Sequence, residues 1–300
     1  MYHRGDTLLF LPGVQGGVRG FLRTGVLAET KGHTMAYKYG RRPPKNAPAL
    51  RFGSFLQAAA PAYPASEDYL AALNGGWQML GNDQVGDCNA VTWANFRRLV
   101  TATLTTESYP TQEQVWQFYQ TQNPNFDPAG SPDTNGPGSQ ADQGMDIQTG
   151  LEYLQQTGGP DGVKAVAFAK VDHTNMAEVK AALAIFGGLW LGIMVLNANQ
   201  QEFATGAPWT DVPGAQIEGG HAILGGGYGT DIKFITWAQE TEFALSFWNG
   251  VVQGTPLVEE AWVVIWPEHL GTSGFEQGVD QTQLAADYQA LTGQPLVLPG

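Results

Sequence analysis

The chain of 300 residues is long enough to bury a core without cross-links, and its single cysteine excludes an internal disulfide and a cysteine-based metal cluster. With 14% of residues charged and 43% apolar, a globular protein with an uncharged polar surface is expected; the longest apolar run, 181–196, is shorter than the roughly 20 residues of a membrane span and is cut by Gly187, Gly188 and Gly192. The net charge of −13 divides into a basic segment, 1–51, at +7 and a remainder at −20 that phosphate would repel, which argues against nucleic acid as a partner.

Residues 1–51 are punctuated by Gly and Pro, and "RRPPKNAPAL" at 41–50 favours extended, polyproline-like chain. This stretch reads as an arm or pro-segment that lies across its own acidic body or binds an acidic partner surface. Met35 is an alternative start. The apolar patch "TLLFLPGV" has no convincing cleavage site after it, so no signal peptide is expected.

After the turn "NGGW" at 74–77 comes "NDQVGDCNAVTW", in which Val91, Trp93, Ala94, Phe96, Leu99 and Val100 recur at helical spacing. Cys88 then opens a helix, where the helix dipole and free amides favour a thiolate. A lone cysteine is also a common small buried residue, so its position alone leaves both readings open. A second helix is expected over 112–122, opened by a capping-box pattern from Thr111 to Gln114, and a third over 145–156. The long loop between them carries Asp127, Asp133 and Asp142, with Asp146 just beyond; their spacing does not match an EF-hand, and a solvated loop without metal is expected.

From Ala165 the texture changes. "VKAVAFAKV" alternates as a strand; "HTNMAEVKAALAIFGG" reads as a helix capped by Thr174 or Asn175 and stopped at Gly187 and Gly188; "LWLGIMVL", "GGHAILGGGYG", "IKFITWA" and "EAWVVIW" read as further strands. A helical part (52–164) and a β-rich part (165–300) give an α+β architecture of two subdomains with a cleft between them. No internal repeat is present.

A cysteine nucleophile needs a histidine to share its proton and a third group to hold that imidazole. Among five histidines, His221 stands at the start of a strand behind Gly219 and Gly220, which leave room for a substrate; a strand histidine satisfied in the core remains the other reading. "GNDQVGDCNAVTWA" and, 133 residues after Cys88, "GGHAILGGGYG" together resemble the active-site helix and histidine strand of papain-like cysteine peptidases. "DQGMDIQTGLEYLQQTG", "EVKAALAIFGGLWLGI" and "ITWAQ" extend the resemblance in pieces over 36–266, closest to papain-like proteins of bacteriophages and some bacteria.

The resemblance implies a papain-like two-subdomain fold with an extended N-terminal arm, a peptide or protein substrate and no cofactor. It implies Cys88 as nucleophile, His221 as base and Asn82 with the Cys88 amide as oxyanion donors. Gln84, Gly86, Gly219, Gly220 and Trp237 would line the cleft. Two positions depart from the family pattern. Asn82 stands where the family has Gln, with Gln84 or a backbone shift as compensation, and the imidazole-orienting Asn is missing, leaving Thr236 or Gln239 to hold the ring. A decayed papain-like binding protein, part of a virion with neighbours along the basic arm, is the alternative, and a peptidoglycan-directed peptidase a third reading. The expected location is cytoplasmic or virion-associated.

Overall fold

The computed structural model describes residues 37–58, 62–73 and 75–298. The alternative start at Met35, and the binding role expected of the basic arm as far as it rests on residues 1–36, lie outside them. Among the described residues the first elements are β1 (Leu50–Arg51), α1 (Phe52–Phe55) and β2 (Glu67–Asp68). Three helices follow: α2 (Cys88–Leu104), α3 (Gln112–Gln120) and α4 (Ile147–Gln156). Then come β3 (Ala167–Val171), α5 (Met176–Phe186), β4 (Leu189–Leu196), α6 (Asn197–Thr205), β5 (Ile217–Tyr228), β6 (Ile232–Thr236) and β7 (Gln239–Phe243). Last are α7 (Leu245–Trp248), β8 (Val251–Val252), β9 (Thr255–Pro256), β10 (Val258–Ile265), α8 (Ser273–Gly278) and α9 (Gln281–Thr292).

The main sheet runs β1-β3-β10-β4-β5-β6-β7, with β2 paired to the end of β5; β1 and β3 are parallel and the other pairs antiparallel. Its central strands are buried on both faces, which is why "LWLGIMVL" reads as a continuous apolar run rather than an alternation. Leu191, Ile193, Ile223, Ala261 and Val263 face a core shared with α5 and the aromatic cluster around Trp209, whereas Trp190, Ala222, Leu224, Trp262 and Val264 face the core of α2, α3 and α4.

Helix α2 is buried nearly all round, as expected of a helix that packs on a sheet with one side and on other helices with the rest. Its polar positions are paired. Asn89 accepts from Trp190 Nε1 at 2.8 Å and donates to the Asp146 carbonyl, and Arg97 forms ion pairs with Asp161 at 2.7 Å and Glu268 at 2.6 Å. The expected capping box opens α3, with Thr111 and Gln114 bonding reciprocally. Asn175 rather than Thr174 caps α5, and Gly187 ends it with a φ of 70°. Helices α1, α6, α7, α8 and α9 fall outside the elements expected from sequence. The entry to α6 carries no side-chain cap hydrogen bond from Leu196, so the usual start signal is absent.

Candidate active site

Cys88 is the first residue of α2 and is 1% exposed. Its sulfur accepts a hydrogen bond from the Ala222 N–H at 3.4 Å, which brings the helix start against β5 one residue beyond His221. The Gly40 N–H also acts on the thiol in the direction that favours thiolate.

His221, equally buried, is held at Nε2 by Thr236 Oγ1 at 2.7 Å, while Nδ1 has no hydrogen-bond partner. Gln239 is exposed. Between Thr236 and Gln239, Trp237 and Ala238 form the two-residue turn of the β6–β7 hairpin with φ of 43° and 62°, the left-handed pair that a type I′ turn requires. That conformation is uncommon for a bulky residue. Its result is an indole stacked on the His221 ring, centroids 4.7 Å apart, with Tyr37 stacked on the indole at 4.2 Å.

Asn82 is buried, and its Nδ2 donates to Asp87 Oδ1 at 3.2 Å. The amide expected to face an oxyanion is thus engaged by a carboxyl immediately before Cys88, a partner the sequence reading does not include. Gln84 is exposed and donates to the neighbouring Asp83, so it does not stand in for Asn82.

The turn before the cysteine is fixed by Asp142. One carboxylate oxygen accepts from the Gly86 N–H at 2.9 Å and from Tyr119 Oη at 2.6 Å, and the other accepts from the Gly138 N–H at 2.8 Å. Its side chain is fully buried, where a solvated loop is expected from the local composition, while Asp127 and Asp133 are exposed as expected. The same loop brings Gly144 and Met145 against Gly40. Among the described residues no group of three or more His, Cys, Asp or Glu side chains is placed to hold a metal ion.

Residues 37–42 pass between the loop that carries Met145 and strand β5. The Gly40 carbonyl accepts from Met145 N–H at 2.7 Å, Arg41 N–H donates to the Gly220 carbonyl at 3.0 Å, and Arg42 N–H donates to the Met145 carbonyl at 2.9 Å. The approach is close enough that a Cβ on Gly40 would lie 1.9 Å from the Gly86 carbonyl oxygen, and one on Gly219 would lie 2.9 Å from Tyr39. Gly86, Gly219, Gly220 and Trp237 therefore do gather around the Cys88 and His221 neighbourhood, but in contact with the chain's own residues.

No family model matches the chain, and no curated protein does. Among solved structures, xylellain, a cysteine protease from Xylella fastidiosa, is similar with a TM-score of 0.54 over 76% of this chain and 96% of xylellain, at 15% identity. Procathepsin B S9 from Trypanosoma congolense is similar with a TM-score of 0.53 over 78% of this chain and 87% of its own, at 11% identity. The fold is papain-like.

Within this papain-like frame the two titrating groups are both neutral. Burial pushes the Cys88 thiol up to about 11, outweighing the Ala222 and Gly40 N–H groups that favour thiolate. Burial, and then the positive charge of Arg41, hold the His221 imidazole down to about 3. Asp87 is raised well above the usual carboxylate range, chiefly by burial. The thiolate expected from the helix start is therefore suppressed while residues 37–42 exclude water: desolvation of the anion outweighs the helix terminus.

Proposed function

We propose that the chain is a papain-like cysteine peptidase or amidase that hydrolyses peptide bonds through Cys88 and His221 and is held closed by its residues 37–42. The observation that carries this reading is the sulfur at the α2 start bonded to the amide next to His221, with one imidazole nitrogen clamped by Thr236 and the other left without a partner. With Nε2–H donated to Thr236, Nδ1 bears the lone pair that takes the thiol proton. The sulfur then forms its bond to the carbonyl carbon. The oxyanion meets the Cys88 N–H and the second amide hydrogen of Asn82, and the imidazolium returns its proton to the leaving amine as the C–N bond breaks. Water, deprotonated by His221, hydrolyses the thioester.

Substrate and residues 37–42 compete for the same cleft, so opening must come first. Opening also moves both groups toward reactivity: readmitting water lowers the thiol and raises the imidazole, and withdrawal of Arg41 raises the imidazole further. The Gly40→Val variant of the full chain tests this, because its side chain cannot pass Gly86. Iodoacetamide near pH 6 is expected to label Cys88 at least tenfold faster than in the parent, and the variant is expected to cleave a peptide pool in a manner lost on Cys88→Ala. Labelling no faster than glutathione, in a variant shown by circular dichroism to be folded, overturns the reading.

The second reading is a non-catalytic binding protein, as part of a virion or otherwise. The engagement of Asn82 by Asp87 and the filled cleft favour it. It expects the opened variant to expose its thiol while cleaving nothing.

A further inference from the structure

The side chain of Arg41, whose N–H is bonded to the carbonyl of Gly220 immediately before His221, leaves the cleft and enters a trench in the sheet. The trench exists because two facing strands carry glycine. Gly192 of β4 is the cross-strand partner of Glu260 in β10, and a Cβ there would lie 2.6 Å from Glu260 Cγ and 2.9 Å from Arg41 Cδ. A Cβ on Gly220 of β5 would lie 2.6 Å from the Arg41 carbonyl oxygen and 3.3 Å from its Nη2. At the bottom, Arg41 Nη1 donates to Glu260 Oε1 at 3.2 Å, Nη2 donates to a Glu259 carboxylate oxygen and to the Ile193 carbonyl at 3.4 Å, and Met194 sulfur lies 3.5 Å from Nη2. Glu260 is fully buried, its other oxygen fixed by Trp262 Nε1 at 2.8 Å.

Once residues 37–42 leave, Glu260 keeps one protein donor, Trp262 Nε1, and a carboxylate at the bottom of a trench is disfavoured without its cation. The vacated trench is thus complementary to another cationic side chain at the same distance from the sulfur. Its two carboxylates and a carbonyl set around a planar head match a guanidinium fork better than an ammonium.

We propose that this trench is the specificity pocket for an arginine side chain of the substrate, with Glu260 and Glu259 as the residues that read it and Gly192 and Gly220 as those that admit it. The proposal rests on the peptidase reading for its consequence, although the pocket can be tested without chemistry. In the full-length Gly40→Val/Cys88→Ala chain, acetyl-Gly-Arg-Gly-amide is expected to bind at least tenfold more tightly than acetyl-Gly-Leu-Gly-amide by calorimetry. Glu260→Gln is expected to remove the difference, and Gly192→Val to abolish binding of the arginine peptide. The full-length Arg41→Ala/Cys88→Ala chain, in which loss of the guanidinium contacts empties the trench and weakens the hold of residues 37–42 on the cleft, is expected to show the same preference. Equal affinity for the two peptides, or binding of neither in both backgrounds, overturns the pocket. Arginine preference here, together with an unreactive Cys88 in the Gly40→Val chain, would instead overturn the peptidase reading and leave the pocket standing.

Discussion

At the scale of single residues, Thr236 is, with Asn82, one of the two positions that separate this site from the pattern it resembles. A hydroxyl on a short, β-branched side chain holds His221 Nε2 at 2.7 Å, where the resemblance leads one to look for an amide. Thr236→Val keeps the shape and removes the bond. In the opened Gly40→Val background it is expected to slow alkylation of Cys88 about tenfold, the rate equivalent of one ordinary hydrogen bond. An unchanged rate would mean that Trp237 alone orients the ring. Cys88, His221 and Thr236 were legible in the sequence because each sits in a short motif whose local structure is self-evident: a turn into a helix, and strands flanked by glycine or tryptophan. The state of Asn82 was not. Whether its amide is free depends on Asp87, and nothing in the one-dimensional pattern says that a carboxylate five residues on points inward.

At the scale of elements, the loop between α3 and α4 acts as a fastening for the turn before Cys88. Asp142→Ala removes three hydrogen bonds and leaves the Gly86 N–H without its partner, so a loss of about 3 kcal/mol in unfolding free energy is expected from urea titration. A loss below about 1 kcal/mol would show that water replaces the carboxylate. Composition made this loop look solvated: Gly, Pro and Asp in succession carry no periodicity, and burial of a single carboxylate comes from distant partners. The same limit hid the path of residues 37–42. Extended chain has no repeat to read, and its partners, Met145 and Gly220, are far away in sequence. The strands β3, β4, β5, β6 and β10 and helix α2, by contrast, follow from apolar alternation, continuous apolar runs or helical spacing in their own segments, whereas β1, β2, β7, β8 and β9 fall outside the strands expected from sequence.

At the scale of the whole molecule, buried titratable groups of opposite tendency tie stability to pH. His221 and His269 are held by burial down to about 3 and about 4, so the folded chain stays unprotonated at both while the unfolded chain takes up protons below its ordinary histidine value near 6.5. That difference removes about 2 kcal/mol of stability per pH unit between pH 6 and 5. Asp87 works the other way. Its raised value keeps a proton on the folded chain that the unfolded chain lacks above about 4, which stabilises the fold as pH falls. Asp87→Asn removes that compensation, so its urea midpoint is expected to fall more steeply than the parent's from pH 6.5 to 5. Parallel slopes would show Asp87 to be ionised in the folded chain.

The strand β1 gives the cleft segment a further property. Only residues 43–49 separate Arg42 from Leu50, which is fixed beside β3 at the sheet's edge. Residues 37–42 therefore cannot diffuse away when they leave the cleft; they remain an intramolecular ligand on a short tether, at an effective concentration on the order of millimolar. A free peptide must outcompete that local supply, so its apparent affinity is weakened by the tethered ligand's own occupancy. Cutting the chain upstream of Tyr37 would leave this competition in place, whereas a cut within 43–49 would detach residues 37–42 from the anchored strand.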